Sequence, residues 1–163
     1  MDLPKRKQNR LRENDYSQNG AYFITICTKV KKQIFGKIVG CGAFDAPQMS
    51  LSVIGKIVEK YIISSNNIKK ISIDKYAIMP NHIHLIINVN ENGGTSKAPS
   101  PTNALVPHFV STLKRFVNKE VGENVFQRSY HDHIIRGEQD YQKIWQYIDS
   151  NAQKWDEDCF YIK

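Results

Sequence analysis

Two histidines one residue apart, His82 and His84, stand in a run that is otherwise almost wholly aliphatic: His-Ile-His-Leu-Ile-Ile-Asn-Val, residues 82–89. Residues two apart on a β-strand point to the same face. The two imidazoles then project together, with β-carbons about 6–7 Å apart. That suits two nitrogens converging on one divalent metal; the plainer alternative is a surface-facing pair at a strand's start. Ile83, Leu85, Ile87 and Val89 face the other way, into a core. Near the C-terminus, Tyr141, Ile144, Trp145 and Ile148 fall at i, i+3, i+4 and i+7 and form the apolar stripe of a helix. Tyr147 lies about 100° off that stripe, and Asn151 lies one turn later on the same side. They read as a half-buried tyrosine and a helix-capping asparagine, or as a nucleophile with a metal ligand beside it. Tyr141 is the rival nucleophile, but it belongs to the core stripe.

Elements to position these groups follow from local pattern. Residues 21–28 are β-branched and aromatic and predict a strand. Residues 39–50, with Gly40, Gly42 and Pro47, read as a loop. Val53, Ile57 and Tyr61, with Ile54, Val58 and Ile62, predict a helix over 52–64. Strands follow at 71–79 and 82–89, joined at Pro80-Asn81 as a hairpin. Residues 90–103 have loop composition. Leu105, Phe109, Leu113, Phe116 and Val117 predict a helix over 104–120, and a strand follows within 126–136. The last helix spans 138–151, with Glu138 and Asp140 at its positive end. The first six of these elements run β-α-β-β-α-β, the order of an α+β, ferredoxin-like sandwich with an antiparallel sheet. The C-terminal helix then carries Tyr147 onto that scaffold.

The chain has 163 residues, enough for one domain with a real core. Residues 1–19 form a basic arm with Lys5, Arg6, Lys7, Arg10 and Arg12, and residues 20–163 form a single domain. No apolar run approaches the ~20 residues of a membrane helix. The start lacks a signal peptide's apolar stretch. Three cysteines, widely separated, fit a reduced, cytoplasmic protein. The net charge is +7, which points to a polyanion partner. Residues 1–119 carry 18 basic and 7 acidic groups, net +11; residues 120–163 carry 5 basic and 9 acidic, net −4. The arm, with Lys114 and Arg115, is the candidate DNA-backbone contact. Tyr16, Tyr22 and Phe23 could stack on unpaired bases, although strand alternation puts Tyr22 or Phe23 in the core. His131 and His133 read as structural, His108 as a packing or capping residue.

Four segments in order resemble the HUH single-strand DNA endonucleases, and more narrowly the REP-associated tyrosine transposases. They are Arg10-Leu11 with Asp15-Tyr16-Ser17 and residues 20–28; Met79-Pro-Asn-His-Ile-His-Leu-Ile86; Gln127-Arg-Ser-Tyr-His-Asp-His-Ile-Ile-Arg136; and Asp140-Tyr-Gln-Lys-Ile-Trp-Gln-Tyr-Ile-Asp-Ser-Asn151. The chain departs from relatives at Ala152, where proline is common, and at Asn14, where an aromatic is common. The resemblance implies that His82, His84 and Asn151 bind Mg²⁺ or Mn²⁺ and that Tyr147 is the nucleophile. It makes residues 20–163 the catalytic domain and gives His133 a supporting role near the site. It implies single-stranded or hairpin DNA as partner, no membrane, and action as monomer or homodimer. Within the superfamily, replication initiators and relaxases are the alternative, but they usually have longer chains. A domesticated or non-catalytic nucleic-acid-binding protein of the same fold is the alternative of another class.

Overall fold

The computed structural model describes residues 19–40, 46–65, 70–90 and 105–161. The basic arm, with Lys5, Arg6, Lys7, Arg10, Arg12 and Tyr16, lies outside the described residues.

Among the described residues, six strands and three α-helices follow in the order β1 (Gly20–Cys27), β2 (Gly36–Val39), β3 (Gln48–Leu51), α1 (Val53–Ser64), β4 (Ile71–Met79), β5 (His82–Val89), α2 (Leu105–Val121), β6 (His131–Ile135) and α3 (Glu138–Ser150). Four strands form one sheet in the order β4-β5-β1-β6, with every neighbour antiparallel. This is the expected α+β sandwich. The other two strands overturn one expectation. Residues 39 and 48–50, within the stretch read as a loop, belong instead to a small β2-β3 hairpin, with Lys37 opposite Ser50 and Ile38 opposite Met49. Four-residue strands flanked by Gly and Pro are too short to show a period of two in the sequence. The last strand is also shorter than expected. Only 131–135 joins the sheet, and Phe126 makes a single bridge to Thr28.

Alternation along β1 and β5 sorts side chains between two layers. Tyr22, Ile24, Ile26, Ile83, Leu85, Ile87 and Val89 pack beneath α1 and α2, against Val58, Ile62, Val106, Phe109, Val110, Leu113 and Val117. All of these are at most 3% exposed. Ser52 starts α1, its Oγ accepting from Gly55 N–H and donating to the Ile34 carbonyl. Gly55 has no substitute there: a Cβ would sit 2.1 Å from the Phe35 carbonyl oxygen. Tyr22 is thus a core residue and not a base-stacking one.

The opposite face of the sheet receives α3. Ile148, with Ile144, Trp145 and Tyr141, packs on Ile86, Ile135, Ala21, Phe23 and Ala77. Two polar clamps fix the helix. A bulge between Ile73 and Lys75 presents Asp74, which accepts from the Tyr141 hydroxyl at 2.7 Å and from the Asn88 amide. Lys75 pairs with Asp149 and lies over the Trp145 ring at 4.5 Å. No helix among the described residues is long and apolar enough to cross a membrane.

Candidate active site

His82 and His84 open β5 on the α3 face, opposite Cys27 and Thr25 of β1. They are 0% and 1% exposed, so they are not a surface pair. Burial this complete requires hydrogen bonds to fix the rings. Asn81 supplies one: its Nδ2 donates to the Lys31 and Phe160 carbonyls, so its Oδ1 is the acceptor for His82 Nδ1–H at 2.8 Å. Thr25 Oγ1 lies 2.8 Å from His84 Nδ1. With each Nδ1 turned to an oxygen, the two Nε2 atoms face each other at 2.9 Å. At that distance the two nitrogens share a proton or turn their lone pairs to a common cation. Burial, with Lys31 nearby, pushes the His82 pKa down to about 3; burial and the neighbouring His82 hold His84 well below its ordinary value. Both rings are neutral at physiological pH, the form a metal needs.

The C-terminal helix brings Tyr147 to this pair. Its hydroxyl lies 3.4 Å from His84 Nε2 and donates to Asp158 Oδ2 at 3.3 Å. Its ring meets the His84 ring edge-on, and Phe23, stacked on His84, packs against both. Burial first, and the Asp158 carboxylate second, push the phenol pKa up to about 12. Nearby positive charge is therefore needed to ionise it. Asn151, 3% exposed, donates from Nδ2 to Asp158 Oδ2 at 3.3 Å, while its Oδ1 is buried with no hydrogen-bond partner. The orphaned amide oxygen of Asn151 and the two facing imidazole nitrogens are donor types that a hard or borderline divalent ion takes. His82, His84 and Asn151 thus fit such an ion.

Other expected residues stand elsewhere. Tyr141 is committed to Asp74 at the far end of α3. His133 shares the site face but binds Asp140 at 2.8 Å, bracing the start of α3. Lys114 does not stand free for a phosphate. Burial pushes its pKa down to about 8, and its ammonium donates to the Gln127 and Ser129 carbonyls at 2.8 and 3.0 Å. Arg115 is exposed, over the Phe116 ring. His108 is exposed on α2.

Sequence reasoning missed Asp158, Asn81 and Thr25. Asp158 lies in the run Asp156-Glu157-Asp158, which reads as a solvated stretch, yet its side chain is 2% exposed. Phe160 and Trp155 from the same segment close over His82, with ring centroids 4.7 and 5.9 Å away. Asn81 had a signal in its place directly before His82. Thr25 had none, because only strand register sets it opposite His84.

Comparison with known proteins shows the family and the fold. The family described as "Transposase IS200 like" matches residues 16–151. A Haemophilus influenzae protein, described as uncharacterized, is 32% identical, over 96% of this chain and 93% of its own. The solved structure of a REP-associated tyrosine transposase bound to a REP hairpin is similar in fold, with a TM-score of 0.59 and 18% identity. It covers 84% of this chain and 68% of that one. The chain belongs to the IS200-like transposase family.

Proposed function

We propose that this transposase is a divalent-metal-dependent endonuclease and strand transferase for single-stranded DNA, with Tyr147 as nucleophile. One observation carries the reading: the Tyr147 hydroxyl lies 3.4 Å from His84 Nε2, which itself faces His82 Nε2 at 2.9 Å. A phosphodiester is anionic and resists attack. Mg²⁺ or Mn²⁺, held by His82, His84 and Asn151, would supply the positive charge that offsets the developing charge.

The chain's own groups do the rest. Phe23 and His84 hold the Tyr147 ring in place, and Asp158 holds its proton in the resting protein. In attack, Tyr147 Oη gives that proton to the Asp158 carboxylate and bonds to phosphorus as the bond to the 3′ oxygen breaks, and the departing 3′ oxygen takes up a proton. The products are a 5′-phosphotyrosine and a free 3′-OH. Bond energy is conserved, so a 3′-OH from another strand end can reverse the step and join. The solved relative that binds a REP hairpin supports hairpin or palindromic repeat DNA as the substrate class. The basic arm and Arg115 would lie on its backbone. Monomer and homodimer both accommodate this site.

The test is incubation with a labelled single-stranded hairpin and Mn²⁺, followed by a denaturing gel. A protein–DNA adduct is expected, absent in Tyr147→Phe and in His82→Ala. An adduct that survives Tyr147→Phe but is lost in Tyr141→Phe overturns the assignment, and cleavage without any adduct points to a metal hydrolase.

A further inference from the structure

We infer that Asp158 is a ligand of the same divalent ion as His82 and His84, an anionic donor supplied by the segment that follows α3. The inference rests on the metal reading proposed above. It adds a residue that lies beyond the family match, which ends at 151.

Three observations support it. One ligand atom each from His82, His84 and Asp158 lies within 4.8 Å of the others. The separations of 2.9 Å between the imidazole nitrogens and 3.9 Å from His82 Nε2 to Asp158 Oδ2 are those of donors about 2.1–2.3 Å from a shared ion. Secondly, the carboxylate is buried among neutral donors: the Tyr147 hydroxyl, the Asn151 amide and the Phe160 N–H, which reaches Oδ1 at 2.7 Å. A buried carboxylate is stabilised by pairing with a cation or by coordinating a metal. Thirdly, the chemistry is complementary. Two imidazoles and an amide oxygen carry no charge to offset a dipositive ion. A carboxylate supplies that charge, and its hard oxygen favours Mg²⁺ and Mn²⁺. Trp155 and Phe160 close the ring side of His82 and exclude water. Asn151 Nδ2 and Phe160 N–H hold the carboxylate in orientation.

The experiment titrates the full-length protein with Mn²⁺ alone by calorimetry. Asp158→Asn keeps the shape and removes the charge; it is expected to weaken Mn²⁺ binding at least tenfold. Asp156→Asn, in the same segment, is expected to bind as wild type. In wild type, Mn²⁺ is expected to slow hydrogen exchange of the 158–161 amides several-fold, and this readout decides the matter if Asp158→Asn does not fold. Affinity within twofold of wild type in folded Asp158→Asn, or exchange unchanged by Mn²⁺, overturns the assignment. If His84→Ala still weakens binding in that case, the histidine site stands without Asp158. If neither variant weakens binding, both readings fall.

Discussion

On β5, His84 and Leu85 are consecutive, equally buried, and directed to opposite faces of the sheet. Leu85 faces α1 and α2, within the main apolar cluster, where burial itself is the stabilising term. His84 faces α3, where burial is unfavourable unless each nitrogen has a partner. Thr25 serves one nitrogen; the other is turned to His82 and Tyr147. One face is therefore built for stability. The other spends some of it to hold neutral, oriented imidazoles away from water.

The sharpest way to break this contrast is to substitute the two neighbours. His84→Ala is expected to lower adduct formation at least a hundredfold, yet to destabilise less than Leu85→Ala. Leu85→Ala is expected to cost about 2–5 kcal/mol and leave adduct formation per folded molecule nearly intact. Urea unfolding and denaturing gels read both. Equal loss of adduct in fully folded Leu85→Ala would erase the division between the faces.

The pH dependence comes next. His82 has a pKa of about 3 in the folded protein, against an ordinary 6.5. Between those values the unfolded chain binds a proton that the folded one refuses. Stability from this site is therefore intact above pH 6.5 and declines as pH falls toward 3. Urea midpoints in EDTA at pH about 7.5 and about 5 should show the decline in wild type and a smaller one in His82→Gln. An equal decline in both would place the acid sensitivity elsewhere.

A subtler change tests orientation alone. Thr25→Val keeps volume and removes the hydroxyl beside His84 Nδ1. Mn²⁺ affinity should fall about 10–100-fold while the apolar face is untouched. Affinity equal to wild type would show that packing alone orients the ring. The smallest effect is expected at His133, whose bond to Asp140 is half-exposed at 52% and 31%. His133→Ala should shift Tm by no more than about 2 °C and change adduct yield less than threefold. A larger loss of adduct would give His133 a direct part in the site.

Much of this was legible in the sequence because it is local or periodic. The i, i+3, i+4, i+7 stripe of α3 announced which residues pack in the apolar cluster, and the off-stripe position of Tyr147 announced that it lies outside that cluster, at the histidines. Period two along 82–89 separated the histidines from the core aliphatics. The β2-β3 hairpin was illegible because four-residue strands hold too few repeats of that period. The Lys114 bonds were illegible because a lysine on a helix looks the same whether its ammonium meets water or a loop's carbonyls.

By itself the sequence determined the β-α-β-β-α-β order, the shared face of His82 and His84, and the placing of Tyr147 and Asn151 one turn apart. Each follows from backbone geometry acting over a few residues. Only the tertiary structure decided that the histidines are sealed from water, that Thr25 and Asn81 set their rings, and that Asp158 reaches them. Those contacts join residues as far apart as 25 and 84, or 82 and 158, so they depend on strand register and on how the chain returns after α3. No local spacing encodes either.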